Sequence, residues 1–72
     1  MKNIYEVKNN QSYIIQDIPD LKLLKSLGIR KNAQVFKKHS YKLGGPVLLT
    51  VDMSEIALGK DVAEKIVVRE AM

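Results

Sequence analysis

The chain has 72 residues, 46% of them apolar, with no cysteine and a formal charge of +4. One domain of this length sits near the lower size limit for folding on a hydrophobic core alone, with a net stability of roughly 3–5 kcal/mol. A disulfide framework and thiolate-held metals are excluded, and so is a membrane span, which needs about 20 apolar residues; the longest apolar run here is residues 47–49, extended by Thr50 and Val51.

The first six residues, Met1-Lys2-Asn3-Ile4-Tyr5-Glu6, carry no apolar stretch of the secretory kind, so a soluble, cytosolic domain is expected, reaching a membrane only through a partner. Charge is unevenly spread. Residues 21–51 hold seven basic side chains (Lys22, Lys25, Arg30, Lys31, Lys37, Lys38, Lys42) and no acid, which leaves the rest of the chain at −3. That asymmetry predicts one positive face, suited to an acidic protein, anionic lipid or nucleic acid; solubility alone is the plainer explanation of the same lysines.

Residues 12–18 are rich in β-formers, with Tyr13 and Ile15 sharing a face, and Pro19 ends that strand. Asp20 is placed to cap a helix bearing Leu21, Leu24 and Leu27 at helical spacing. Gly28 predicts a stop in the left-handed region, with Ile29 folding back onto the helix. Lys31-Asn32 reads as a turn, because Asn tolerates positive φ. Residues 33–39 form the next strand, with Val35 and Phe36 on opposite faces. A loop over residues 40–46 closes with Gly44-Gly45-Pro46. Residues 47–51 and 55–58 are two further strands around a turn at 52–54. A helical turn or two over residues 59–65 and a closing strand over 66–68 complete one domain, residues 1–72. Five short strands and two short helices predict a mainly β fold, a small closed or half-closed barrel without exposed edges.

Catalytic constellations are hard to assemble from these residues. His39 is the single histidine. The serines lack a nucleophile-elbow context, and Gly44-Gly45-Pro46 leads into a strand without the Lys-Ser/Thr ending of a phosphate-binding loop. No enzyme activity, cofactor or metal site is expected, since a transition-metal site needs several converging ligands. Nucleic-acid binding is not expected either, because Tyr41 is the one aromatic in a predicted exposed loop.

Three segments carry a resemblance that spans nearly the whole chain. They are Leu24-Lys25-Ser26-Leu27-Gly28-Ile29, then Gly44-Gly45-Pro46-Val47, then Ile56-Ala57-Leu58 followed by Ala63-Glu64-Lys65-Ile66-Val67-Val68. In order and spacing they resemble the FeoA family. Where that family commonly has Pro-Gly after the helix, this chain has Lys31-Asn32; where it commonly has arginine before the helix-end leucines, this chain has Leu23. The resemblance implies an SH3-like β-barrel and a partner, the membrane ferrous-iron transporter FeoB with its GTP-binding domain. It also implies kinship with the C-terminal domain of DtxR-type metal-dependent repressors, hence a second reading as a protein-binding barrel. Gly28, Asn32, Gly44, Gly45 and Pro46 are expected to shape the fold. The partner-binding surface is expected at Tyr41 and Leu43, flanked by Lys37, Lys38 and Lys42, with the alternative that Tyr41 and Leu43 fold back to plug one end of the barrel.

Overall fold

The computed structural model describes residues 2–41 and 43–71. Six strands and two short helices follow one another as β1 (Lys2–Asn3), β2 (Gln11–Asp17), α1 (Lys22–Ser26), β3 (Gln34–Ser40), β4 (Val47–Val51), β5 (Ser54–Leu58), α2 (Lys60–Ala63) and β6 (Val67–Glu70). The strands form one sheet in the order β1-β6-β2-β3-β4-β5, antiparallel at every pairing. The molecule measures 27 × 27 × 26 Å. Six strands at about 4.8 Å spacing reach such near-equal dimensions only if the sheet coils tightly around its own core.

Alternation along the strands selects that core. Tyr13 and Ile15, Val35, Val47, Leu49 and Val51, Leu58 and Val68 all point inward. Ile4, Leu24, Ile29, Ala63 and Ile66 come from the connecting segments and complete the packing. The strand count differs from the sequence reading by β1, a two-residue strand paired to β6. Two residues are too few to display a period. Among the described residues β5 pairs only with β4 and keeps an open edge, so the expected removal of edges by closure is not complete there.

Helix α1 stops as its sequence predicts. The Ile29 amide donates to the Leu24 carbonyl at 2.9 Å and the Gly28 amide to the Lys25 carbonyl at 3.0 Å, with Gly28 at φ 83°. These are the two bonds of a Schellman stop, and they require a residue at ease in the left-handed region. The start differs from expectation. Leu21, not Asp20, occupies the N-cap position, and no side chain caps the helix. The chain turns sharply at Pro19, where the Leu21 amide donates back to the Pro19 carbonyl; Asp20 therefore falls one position early. Asn32 takes φ 71° in the turn that the Ala33 amide closes onto the Arg30 carbonyl at 3.1 Å. That is the third position of a turn in which Asn and Gly are favoured.

Candidate docking surface

The hairpin between β3 and β4 is built by a strand irregularity and a glycine. Pairing runs Phe36↔Thr50 and Lys37↔Leu49, then shifts to His39↔Leu48 and Ser40↔Val47. Such a bulge bends the strand and re-aims the side chains beyond it. The Tyr41 amide donates to the Pro46 carbonyl at 3.0 Å and closes the loop. Within it, Leu43 at φ 62° and Gly44 at φ 81° both occupy the left-handed region. Leu43 is fully exposed at the tip, and Tyr41 remains 47% exposed with its ring edge-on to His39 at 4.8 Å. Lys42 lies outside the described residues. Pro46 is exposed and Gly45 half-buried, leading directly into β4.

Lys37 does not belong to this surface. It is 1% exposed, its Nζ donating to the carbonyls of Tyr5 at 2.7 Å and Val7 at 2.6 Å. Alternation along β3 turns Lys37 inward, like Val35, and its long stem lets the ammonium reach the N-terminal turn. Burial lowers its pKa from the usual lysine value. Ser40 Oγ also donates to the Tyr5 carbonyl, at 3.0 Å. The N-terminal turn is further held by Asn3, whose Oδ1 accepts the Glu6 amide at 3.0 Å. Lys38 points outward and forms an ion pair with Glu55 across the sheet.

The single positive face expected from composition is therefore broken up. Of its seven bases, Lys37 is interior, Lys38 is neutralised by Glu55, and Lys31 lies 3.7 Å from Asp17. Sequence reasoning passed over the exposed Leu23 and Met53, set Phe36 opposite Val35 without giving it a role, and assigned Leu21, 42% exposed, to the apolar stripe of the helix. Leu23 is 65% exposed on α1, Met53 is fully exposed at the β4–β5 turn, and Phe36 lies on the outer sheet face opposite Ser12 and Thr50. Leu23 carried a signal, standing where related sequences place an arginine; Phe36 carried one in the alternation with Val35. Among the described residues no group of three His, Asp or Glu side chains converges as a metal site requires. No helix among them is long and apolar enough to cross a membrane.

A family model described as the FeoA domain matches residues 2–70. The chain belongs to the FeoA family. Solved structures of this FeoA domain's kin share its fold. An iron uptake regulatory protein, FeoA, is 24% identical over 96% of this chain and 94% of its own, with a TM-score of 0.85. FeoA from Stenotrophomonas maltophilia, solved with zinc and described as a prokaryotic SH3 domain protein, is 23% identical over 96% and 91%, at 0.80. The repressor ScaR with bound zinc is 22% identical over 96% of this chain but only 36% of its own, at 0.85. This FeoA domain thus corresponds to about a third of ScaR and shares its fold with the C-terminal domain of such repressors. No curated protein matches the chain in sequence. The SH3-like fold expected from the resemblance is the fold observed.

Proposed function

We propose that this FeoA domain is a non-enzymatic accessory protein of ferrous iron uptake. It docks on the cytosolic part of the FeoB transporter-GTPase through the tip of its β3–β4 hairpin and modulates that partner from the inner face of the membrane. The observation that carries the docking surface is Leu43. A bulky apolar residue held at positive φ and fully in solvent gains nothing from folding, and such outliers gather at binding sites. Tyr41 beside it supplies an aromatic anchor, and Lys38, although paired with Glu55, keeps a polar group on the outer face of the same hairpin. Exposure of Leu43 argues against the plug alternative for that residue. Family membership supports the iron-uptake role, and the Stenotrophomonas relative is described as a candidate ferrous iron transport activating factor.

The test is a double substitution, Tyr41→Ser with Leu43→Ser. The expected outcome is a melting temperature within a few degrees of the parent and markedly weakened capture by the cytosolic part of FeoB. A normally folded double mutant that binds as well as the parent removes this surface. Loss of stability before loss of binding restores the plug. The likeness to ScaR favours one second reading, a barrel that binds some other protein; capture of FeoB by neither form would leave that reading standing.

A further inference from the structure

The irregularity in β3 changes which side chains the strand turns inward. Lys37 pairs with Leu49 and His39 with Leu48, so Lys38 is the extra residue of a bulge. Residues directly opposite each other in a ladder share a face. Leu49 and Val47 are both buried, so Lys37 and, beyond the bulge, Ser40 face inward with them. In an unbroken strand alternation would turn residue 39 inward instead; the bulge puts a hydroxyl where an imidazole would stand. Both inward groups reach one acceptor. The Tyr5 carbonyl receives Lys37 Nζ at 2.7 Å and Ser40 Oγ at 3.0 Å, which uses both of its lone pairs. One donor stands before the bulge and the other after it. The acceptor is itself anchored elsewhere in the fold. The Ile4 amide donates to the Ile66 carbonyl at 2.9 Å, and Lys60 Nζ of α2 lies 5.5 Å from the centre of the Tyr5 ring.

We propose that the Tyr5 carbonyl braces the β3 bulge and so sets the angle at which the β3–β4 hairpin leaves the barrel, with Ser40 and Lys37 as positioning residues for Tyr41 and Leu43 at its tip. A bulge bends its strand, and that bend is free to vary unless something spans it. Beyond the bulge β3 and β4 share two pairs, His39↔Leu48 and Ser40↔Val47, before the loop that the Tyr41 amide closes onto the Pro46 carbonyl. Among the described residues, the Ser40 hydroxyl makes the only side-chain hydrogen bond from residues 39–46 to the rest of the chain. Its partner lies 35 residues away in sequence, so the N-terminal turn acts directly on the hairpin. The two donors differ in consequence. Without Ser40 Oγ the Tyr5 carbonyl still accepts Lys37 Nζ, so removing the hydroxyl frees the hairpin without orphaning a polar group. The purpose of the brace rests on the docking surface proposed above; its mechanics do not.

NMR relaxation of the backbone amides of the full chain tests the brace, with Ser40→Ala and Ser40→Thr beside the parent and with affinity for the cytosolic part of FeoB measured on all three. In Ser40→Ala the order parameters of Tyr41 and residues 43–45 should fall while those of β2 and β6 hold. The melting temperature should stay within a few degrees of the parent. Affinity for FeoB should drop about two- to tenfold, the fraction of tips held in place being reduced by the loss of one hydrogen bond. Ser40→Thr keeps the hydroxyl and should restore both readouts. Unchanged order parameters at the tip of Ser40→Ala overturn the brace. A looser tip with undiminished affinity, or equal losses in Ser40→Ala and Ser40→Thr, overturns the positioning role of the Ser40 hydroxyl. Failure of the docking surface itself is distinct: Tyr41→Ser with Leu43→Ser then binds FeoB like the parent while the tip of Ser40→Ala is still loosened, which upholds the brace and overturns its part in docking.

Discussion

Gly28 combines two constraints at one residue. Its φ of 83° is foreign to β-branched side chains, and a Cβ there would sit 3.2 Å from Val51 Cγ1. Gly28→Val should cost about 1–3 kcal/mol from backbone strain alone. In a domain of this size each kcal/mol lowers the melting temperature by roughly 4–8 °C, which differential scanning calorimetry resolves. Lys37 is constrained differently. Its ammonium is the side-chain partner of the Val7 carbonyl, while the Tyr5 carbonyl also receives Ser40 Oγ. Lys37→Met relieves a buried charge but strips the Val7 carbonyl of that donor. Val7 is half-buried, and an acceptor left without its donor costs at most about 1–3 kcal/mol, so a net loss is expected, with faster amide exchange concentrated in residues 4–8. Unchanged exchange there would show that the turn does not depend on the lysine.

At the scale of elements, each connection states its requirement in a particular residue. Asp52 at φ 48° and Met53 at φ 70° make the two-residue turn between β4 and β5. Both central positions are left-handed, the geometry that suits the twist of a tight hairpin and that Asn-Gly fills best. Met53 is fully exposed, so it contributes no packing to offset its backbone strain. Met53→Gly should raise the urea midpoint by the equivalent of about 0.5–1 kcal/mol, the gain from relieved strain being partly cancelled by a more flexible unfolded chain. A fall in the midpoint would mean that the side chain is used in the folded molecule. The elements also show what short segments reveal. β4 spans the residues read from sequence because Val47, Leu49 and Val51 alternate with less buried neighbours. The stop of α1 was legible because Leu-Gly-Ile is a local motif. β1 and the true start of α1 were not, since a two-residue strand exists only by pairing with β6 and the cap moved with the turn at Pro19.

For the whole molecule, titration reports how the interior is organised. The Tyr13 hydroxyl lies 2.8 Å from the Lys8 carbonyl, joining β2 to the N-terminal segment. Burial, assisted by the negative charge of Glu70, raises its pKa above the ordinary 10.0. The folded state holds this proton more tightly than the unfolded chain, so its stabilisation is complete below pH 10 and is lost as pH rises through the folded value. Lys37 acts in the opposite sense: its pKa is lowered from 10.5, so stability is recovered as pH rises through its folded value toward 10.5. Chemical denaturation between pH 8 and about pH 11 should show Tyr13→Phe losing the alkaline decline while remaining less stable near neutrality. A parallel dependence in parent and variant would remove Tyr13 from that role.

Sequence by itself determined the class of fold, the order of the main strands, the stop of α1, the turn at Asn32 and, through three short motifs, membership in the FeoA family. These rest on local rules: alternation, positive-φ residues, and glycine and proline punctuation act over a few neighbouring residues. Only the tertiary structure decided which lysine is interior and which edge is open. Lys37 and Lys38 are adjacent and chemically alike, and nothing local separates them. The inward turn of one alternating face, and two carbonyls thirty and thirty-two residues away along the chain, bury the first; a glutamate on a strand two places across the sheet engages the second. The same holds for Leu43, whose exposure depends on where the bulged hairpin projects from the coiled sheet. Burial, charge pairing and edge exposure are sums over residues distant in sequence, and they are fixed only when the sheet closes on its core.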